Sequence, residues 1–233
     1  MIGQIFLCLI NYLILALKDS KYSNQAKYQQ ETVLYGTMAY MNACLCLAGT
    51  STDAVELKTH DELGAIAVQT NNFFCVLANF MCCLTEYFWM RNYMVVMELS
   101  EKHCVQHPSS QQKRLQVLFR TFYDGVASLS LARDTRQLKW RIMGEKAVII
   151  MAKSEIISKW NFENKSKLVQ ADLYYLDGDL ESAEIAYNSS IMSAREHKFI
   201  NEEALACELY GMFFIENGMV SKGTVQLNLA LDK

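Results

Sequence analysis

The chain has 233 residues, a net charge of −3, a hydrophobic content of 52%, ten glycines and a single proline. That length suits one good-sized domain or an array of several repeats, and so few turn-forming residues exclude a β-sandwich or barrel. The weak negative charge excludes a general attraction to nucleic acid or to an anionic membrane.

Ile5–Leu17 is nearly all apolar, with Asn11 its one strongly polar side chain. It falls short of the roughly 20 residues a bilayer span needs, and it has neither a basic n-region nor a clear cleavage site. A buried repeat helix is the reading adopted for it; a signal or membrane anchor is the alternative. Gln25–Leu47 is helical in pattern, with Leu34, Met38, Met41 and Leu45 on one side, and Gly49–Asp53 breaks it. Asp61 is expected to open one long apolar helix through Leu77, Phe80, Met81 and Leu84 to Trp89. After a turn at Arg91-Asn92, Tyr93–Val105 packs back on it. Pro108-Ser109-Ser110 is the clearest linker, since proline ends the preceding helix. Residues 1–107 therefore read as N-terminal divergent helical repeats.

The next helix pair is Gln111–Ala132 and Leu138–Ser158, split at Asp134-Thr135-Arg136. Gly125 stands mid-helix at a cost of about 1 kcal/mol relative to Ala, which implies a close helix contact there. Residues 108–163 carry a basic bias. Eight Lys and Arg between Lys113 and Lys146 outnumber three acidic residues, Asp124, Asp134 and Glu145. Arg133, Arg136, Lys139 and Arg141 are thus candidates for a face that docks an acidic partner segment, with a solvated helix surface as the other reading. Trp160-Asn161-Phe162 is expected to link this pair to the C-terminal helices.

Residues 164–233 contain one helix–turn–helix unit written twice. Ala171, Tyr174, Gly178, Ala183, Tyr187 and Ser190 recur as Gly211, Phe214, Gly218, Gly223, Leu227 and Ala230, each pair 40 residues apart. Small and aromatic residues at a fixed period mark a helical repeat. The small residue lets two backbones approach, and the aromatic one turn later fills the space beside it. Gly178 and Gly218 stand where the first helix must stop in a left-handed residue. Asp179 can cap the next helix, whereas Met219 at the same place in the second copy cannot.

At these residues the chain resembles a tetratricopeptide repeat, although Lys167 and Cys207 stand where that family has Trp. The period also exceeds the family's roughly 34 residues, which puts a longer link through His197–Glu202. From about Ala43 to the end, the Trp140 helix, Trp160-Asn161-Phe162, Leu176-Asp177-Gly178-Asp179 and the run from Ala194 to Ala204 are similar to the helical middle region of large signalling proteins. The resemblance implies a kinase-like domain and an AAA/STAND-type ATPase before the repeats, and GAF and histidine-kinase or cyclase domains after them. It carries over no catalytic residue.

Motifs for chemistry are sparse. The chain has no glycine-rich phosphate loop and no Gly-x-Ser-x-Gly elbow. Cys8, Cys44, Cys46, Cys75, Cys82, Cys83, Cys104 and Cys207 form no Cys-x-x-Cys pair and read as buried reduced thiols. His103 and His107 share a helix face but lack a third ligand. His60 and His197 read as helix-end residues, and Asp177 and Asp179 as caps. Two glycosylation acceptor patterns, at Asn164 and Asn188, matter only in a secreted protein.

The expectation is an all-α protein, a right-handed superhelical array of about five antiparallel helix pairs, without catalysis, cofactor or metal. Its partner is a peptide or neighbouring domain held in the concave groove, and its compartment the cytoplasm; nucleic acid is not a partner, and membrane attachment through Ile5–Leu17 is kept only as an alternative. A helical metal or thiol enzyme using the Cys/His-rich part before Pro108 is the rival. Neither Ile5–Leu17 nor the final Leu227–Leu231 stretch carries a polar cap, so the chain is expected to be a fragment that self-associates through its ends.

Overall fold

The computed structural model describes residues 59–70, 73–106 and 114–232. Among them all regular structure is α-helical, in the order α1 (His60–Gln69), α2 (Phe73–Trp89), α3 (Tyr93–Gln106), α4 (Arg114–Thr135), α5 (Leu138–Ile157), α6 (Lys159–Asp177), α7 (Leu180–Glu196), α8 (Ile200–Glu216) and α9 (Val220–Leu231). The chain divides into two compact units, Met1–Val95 and Val96–Lys233. Ile5–Leu17, the segment Gln25–Leu47 expected to be helical, His107 and Pro108 lie outside the described residues.

In the first unit α1 packs on α2. Thr59 and Glu62 form a reciprocal capping box that satisfies the free amides at the start of α1. The His60 ring spans Asn79 Oδ1 at 2.8 Å and Glu86 Oε2 at 3.0 Å, and Asn79 Nδ2 donates back to the His60 carbonyl. The single helix expected from Asp61 to Trp89 is in fact two. The polar run Gln69-Thr70-Asn71-Asn72 interrupts the apolar pattern, and the Thr70 hydroxyl bonds the Ile66 carbonyl at 2.8 Å where α1 ends.

In the second unit each helix from α4 onward packs on its successor, and α4, α6 and α8 also touch in that order. Every second helix thus forms a layer, with α5, α7 and α9 filling in against it. The Trp160-Asn161-Phe162 segment is not a link but the first turn of α6. One residue, Ser158, breaks the path from α5 to α6, with its N–H bonded to Ser154 O. Helix phase then buries Phe162 while Trp160, outside, stacks on His197 at 4.2 Å.

The turns follow one geometry. At Gly178 (φ 80°) and Gly218 (φ 79°) the chain enters the left-handed region. Asp179 N–H reaches Tyr174 O at 3.0 Å, and Met219 N–H reaches Phe214 O at 2.8 Å, the closing bonds of a Schellman turn. Arg91, Arg136 and Lys198 adopt the same left-handed backbone without being glycine. Asp179 caps α7 through Ser182 N–H, whereas Met219 gives α9 no side-chain cap.

Helices approach most closely where side chains vanish. A Cβ on Gly125 would come 2.9 Å from Ala147 Cβ, and one on Gly144 would come 2.4 Å from Leu129 Cδ2. Gly125 thus has the close helix contact its position implied.

Candidate functional site

The interior of the second unit holds a polar cluster drawn from α4, α6, α7 and α8. Asp172 of α6 is fully buried. Its Oδ1 accepts from the Tyr187 hydroxyl of α7 at 2.6 Å and from Arg133 Nη1 of α4 at 3.2 Å. Arg133 Nη2 reaches Ser130 Oγ at 3.3 Å, and its guanidinium lies 5.0 Å over the Tyr175 ring. Tyr175 donates to Glu216 of α8 at 2.5 Å. Tyr187 stacks on Tyr210 at 5.3 Å and contacts Phe213.

Electrostatics lock this cluster in one state. Burial alone would work against the Arg133 guanidinium, yet Asp172, Tyr187, Glu216 and Tyr175 hold its pKa above the usual value. Burial, then the neighbouring Asp172 carboxylate, pushes the Tyr187 hydroxyl well up, so it stays a proton donor. Burial and Glu216 push Tyr175 up to about 12. The Arg133 cation and the two phenols, Tyr175 and Tyr187, are thus each held in their protonated form. The arrangement clamps α4, α6 and α7 together.

A second cluster surrounds Lys165 of α6, which is only 1% exposed. Its Nζ bonds Glu202 Oε1 at 2.8 Å and lies 4.5 Å from the Phe199 ring centre, with Phe119 and Phe122 at 5.7 and 5.9 Å. This ion pair, wrapped in aromatic faces, ties α6 to α8. Nearby, Ser190 donates to Asn164 O at 2.8 Å and Arg195 pairs with Glu203 at 2.8 Å.

The repeat residues fall as follows. Ala171, Ala183, Tyr187, Gly211 and Phe214 are buried, and Leu227 lies against Gly211 with Ala230 half-buried nearby on α9. Tyr174, expected to fill the space beside Ala171, is instead 39% exposed. The buried face of α6 runs through Leu168, Ala171 and Asp172, one step away from it, and Tyr175 is the aromatic that meets Phe213 edge-on at 5.0 Å.

Arg133, Arg136, Lys139 and Arg141 do not form one outward face. Arg133 points inward to Asp172 because the buried carboxylate needs a cation. Arg136 and Lys139 are exposed, with Lys139 Nζ 3.8 Å over the Trp140 ring. Arg141 is held by Glu145 at 2.8 Å and Asp177 at 2.6 Å. Arg136 and Arg141, with Ala132, Gln137, Leu138 and Leu176, line a cavity of about 180 Å³ beside the α4–α5 turn.

Cys75, Cys82, Cys83 and Cys207 are buried, and burial with Glu86 pushes the Cys83 thiol up to about 12. No group of three or more His, Cys, Asp or Glu side chains among the described residues could hold a metal ion. No helix among them is long and apolar enough to cross a membrane. Sequence reasoning missed Asp172 and Lys165. The available signal was a charge on the apolar face, since Asp172 falls one turn from Leu168 and Val169. Compared with protein-family models, curated proteins and solved structures, the chain matches none.

Proposed function

We propose that this chain is a non-catalytic helical-repeat scaffold that acts by binding protein. One observation carries the reading. The interior groups able to do chemistry, Asp172, Arg133 and Tyr187, are spent holding helices together. Large apolar side chains such as Ile185 and Met192 on α7, Met212 on α8 and Val225 on α9 stand exposed instead. Apolar groups facing outward on a stack of helices are what a partner surface requires.

In the finer form of the proposal, the helix pairs wind as a right-handed superhelix whose concave groove takes a peptide or a neighbouring domain. The resemblance to tetratricopeptide-like regions of signalling ATPases and kinases supports a role in coupling domains. Buried thiols suit a reducing cytoplasm.

A photo-crosslinking residue placed at Met192, Met212 or Val225 in cells of the natural source tests the reading. The expected result is a discrete polypeptide adduct at one or more of these positions. The proposal is overturned if no position gives an adduct and the purified chain shows a turnover that Asp172→Asn abolishes.

A further inference from the structure

The outer face of α5 carries two parallel rows. Ile142, Ile149 and Ile156 are 41%, 55% and 86% exposed and stand seven residues apart. Lys139, Lys146 and Lys153, also exposed, repeat at the same step three residues earlier. A seven-residue step turns an α-helix by only about 20° per heptad, so each set forms a continuous stripe, and the three-residue offset sets them roughly 60° apart. The two rows run side by side along the helix.

The other border of the isoleucine row is different. Glu145 there is tied to Arg141 at 2.8 Å, and Glu155, toward the interior, to Lys167 at 3.4 Å. The carboxylates of α5 are thus committed within the array, while Lys146 and Lys153 make no ion pair among the described residues. The face presents an apolar ridge with uncompensated positive charge along one edge.

We propose that this face of α5 docks an acidic amphipathic helix of a partner protein, which deepens the scaffold reading above and rests on it. The partner's apolar stripe would lie along the isoleucine row, and its Asp and Glu edge against the lysine row. Charge complementarity selects this occupant. A second copy packed antiparallel about a two-fold axis would bring lysine row against lysine row, which is repulsive. An anionic bilayer is disfavoured because the chain's net charge of −3 opposes its approach.

The test uses the full 233-residue chain and a fluorescent helical peptide of about three heptads, with one leucine stripe and Glu along both its edges. A matched peptide with Lys for Glu, phosphatidylserine vesicles and sedimentation equilibrium complete the set. The Glu peptide is expected to bind, and Ile149→Ser or the Lys146→Glu/Lys153→Glu pair to weaken it about tenfold or more. The charge-reversed chain is expected to gain the Lys peptide. Far-UV circular dichroism checks that these surface variants stay folded. Equal binding of both peptides, or indifference to Ile149→Ser, overturns the proposal. Vesicle binding lost in Ile149→Ser would assign the face to a membrane, and dimerisation lost in the same variant would assign it to a second copy; either overturns it too. Crosslinks at Met192, Met212 or Val225 with no Glu-peptide binding would sink the α5 site alone and leave the scaffold reading standing.

Discussion

Gly223 of α9 meets Gly211 of α8 backbone to backbone: a methyl group built on Gly223 would stand 2.7 Å from the Gly211 carbonyl oxygen and 2.5 Å from Ile215 Cγ1. Their counterparts one repeat earlier, Ala171 and Ala183, are both fully buried. α9 sits this close to α8 because neither position carries a side chain.

Gly223→Ala sets two effects against each other. Helix propensity favours Ala by about 1 kcal/mol, while overpacking a close contact costs about 1–3 kcal/mol. The contact is with backbone and cannot yield cheaply, so the variant is expected to be less stable, by about 1 kcal/mol or more. Thr224→Ala, at an exposed neighbour, should stay within about 0.5 kcal/mol of the parent. A urea midpoint raised by Gly223→Ala would mean that the close crossing does not exist.

The left-handed turn residues predict effects of opposite sign from one cause. A non-glycine residue in this region is strained by about 1–2 kcal/mol. Gly178→Ala should therefore destabilise by about that much, since its φ is 80° although the space around it is open. Lys198→Gly, at φ 60°, should gain up to about 1 kcal/mol, less the entropy glycine loses on folding. Thermal midpoints moving the same way in both variants would rule out the shared turn geometry.

Asp124 gives the fold a pH dependence. Burial pushes its carboxyl from 3.8 up to about 6, against the lowering effects of the Ser100 hydroxyl and Arg120. The folded chain therefore holds this proton more tightly than the unfolded chain does. Its contribution to stability is full below about pH 4 and is lost as pH rises through about 6. Asp124→Asn removes the titration, so the stability of the variant relative to the parent should rise by about 2 kcal/mol between pH 4.5 and pH 7. Urea unfolding at the two pH values measures it; an unchanged difference would refute the assignment.

Much of the helical order was legible because periodicity and turn residues speak directly. Gly178 and Gly218 announced their turns, and Arg91-Asn92 and Arg136 fell between apolar runs. The α1–α2 break was missed because the polar run Gln69–Asn72 fills only about one helical turn and contains no Gly or Pro to mark a stop. The first turn of α6 was mistaken for a link because Trp160 and Phe162, which face opposite ways, looked like one cluster. Arg133 was misplaced for a deeper reason. A sequence shows that a cation is present but not that a buried carboxylate 39 residues away claims it. The small–small crossing of Gly211 and Gly223 showed as a repeat, whereas the Lys165 ion pair depends on rings from Phe119, Phe122 and Phe199, which only the fold brings together.

That the polar interior holds the stack together instead of doing chemistry is tested most directly by the Arg133–Asp172 pair. Asp172 Oδ1 carries both of the group's bonds, and Oδ2 is buried with no hydrogen-bond partner. Removing one member leaves a charge uncompensated inside the protein, which costs about 3–5 kcal/mol, while replacing both by apolar side chains is often close to neutral. The measurement is equilibrium urea unfolding of the parent chain, Arg133→Met, Asp172→Leu and the double variant. The expected result is that each single variant loses about 3 kcal/mol or more and that the double variant is more stable than either. Single losses that simply add in the double variant, or single variants as stable as the parent, would contradict a structural role for the pair.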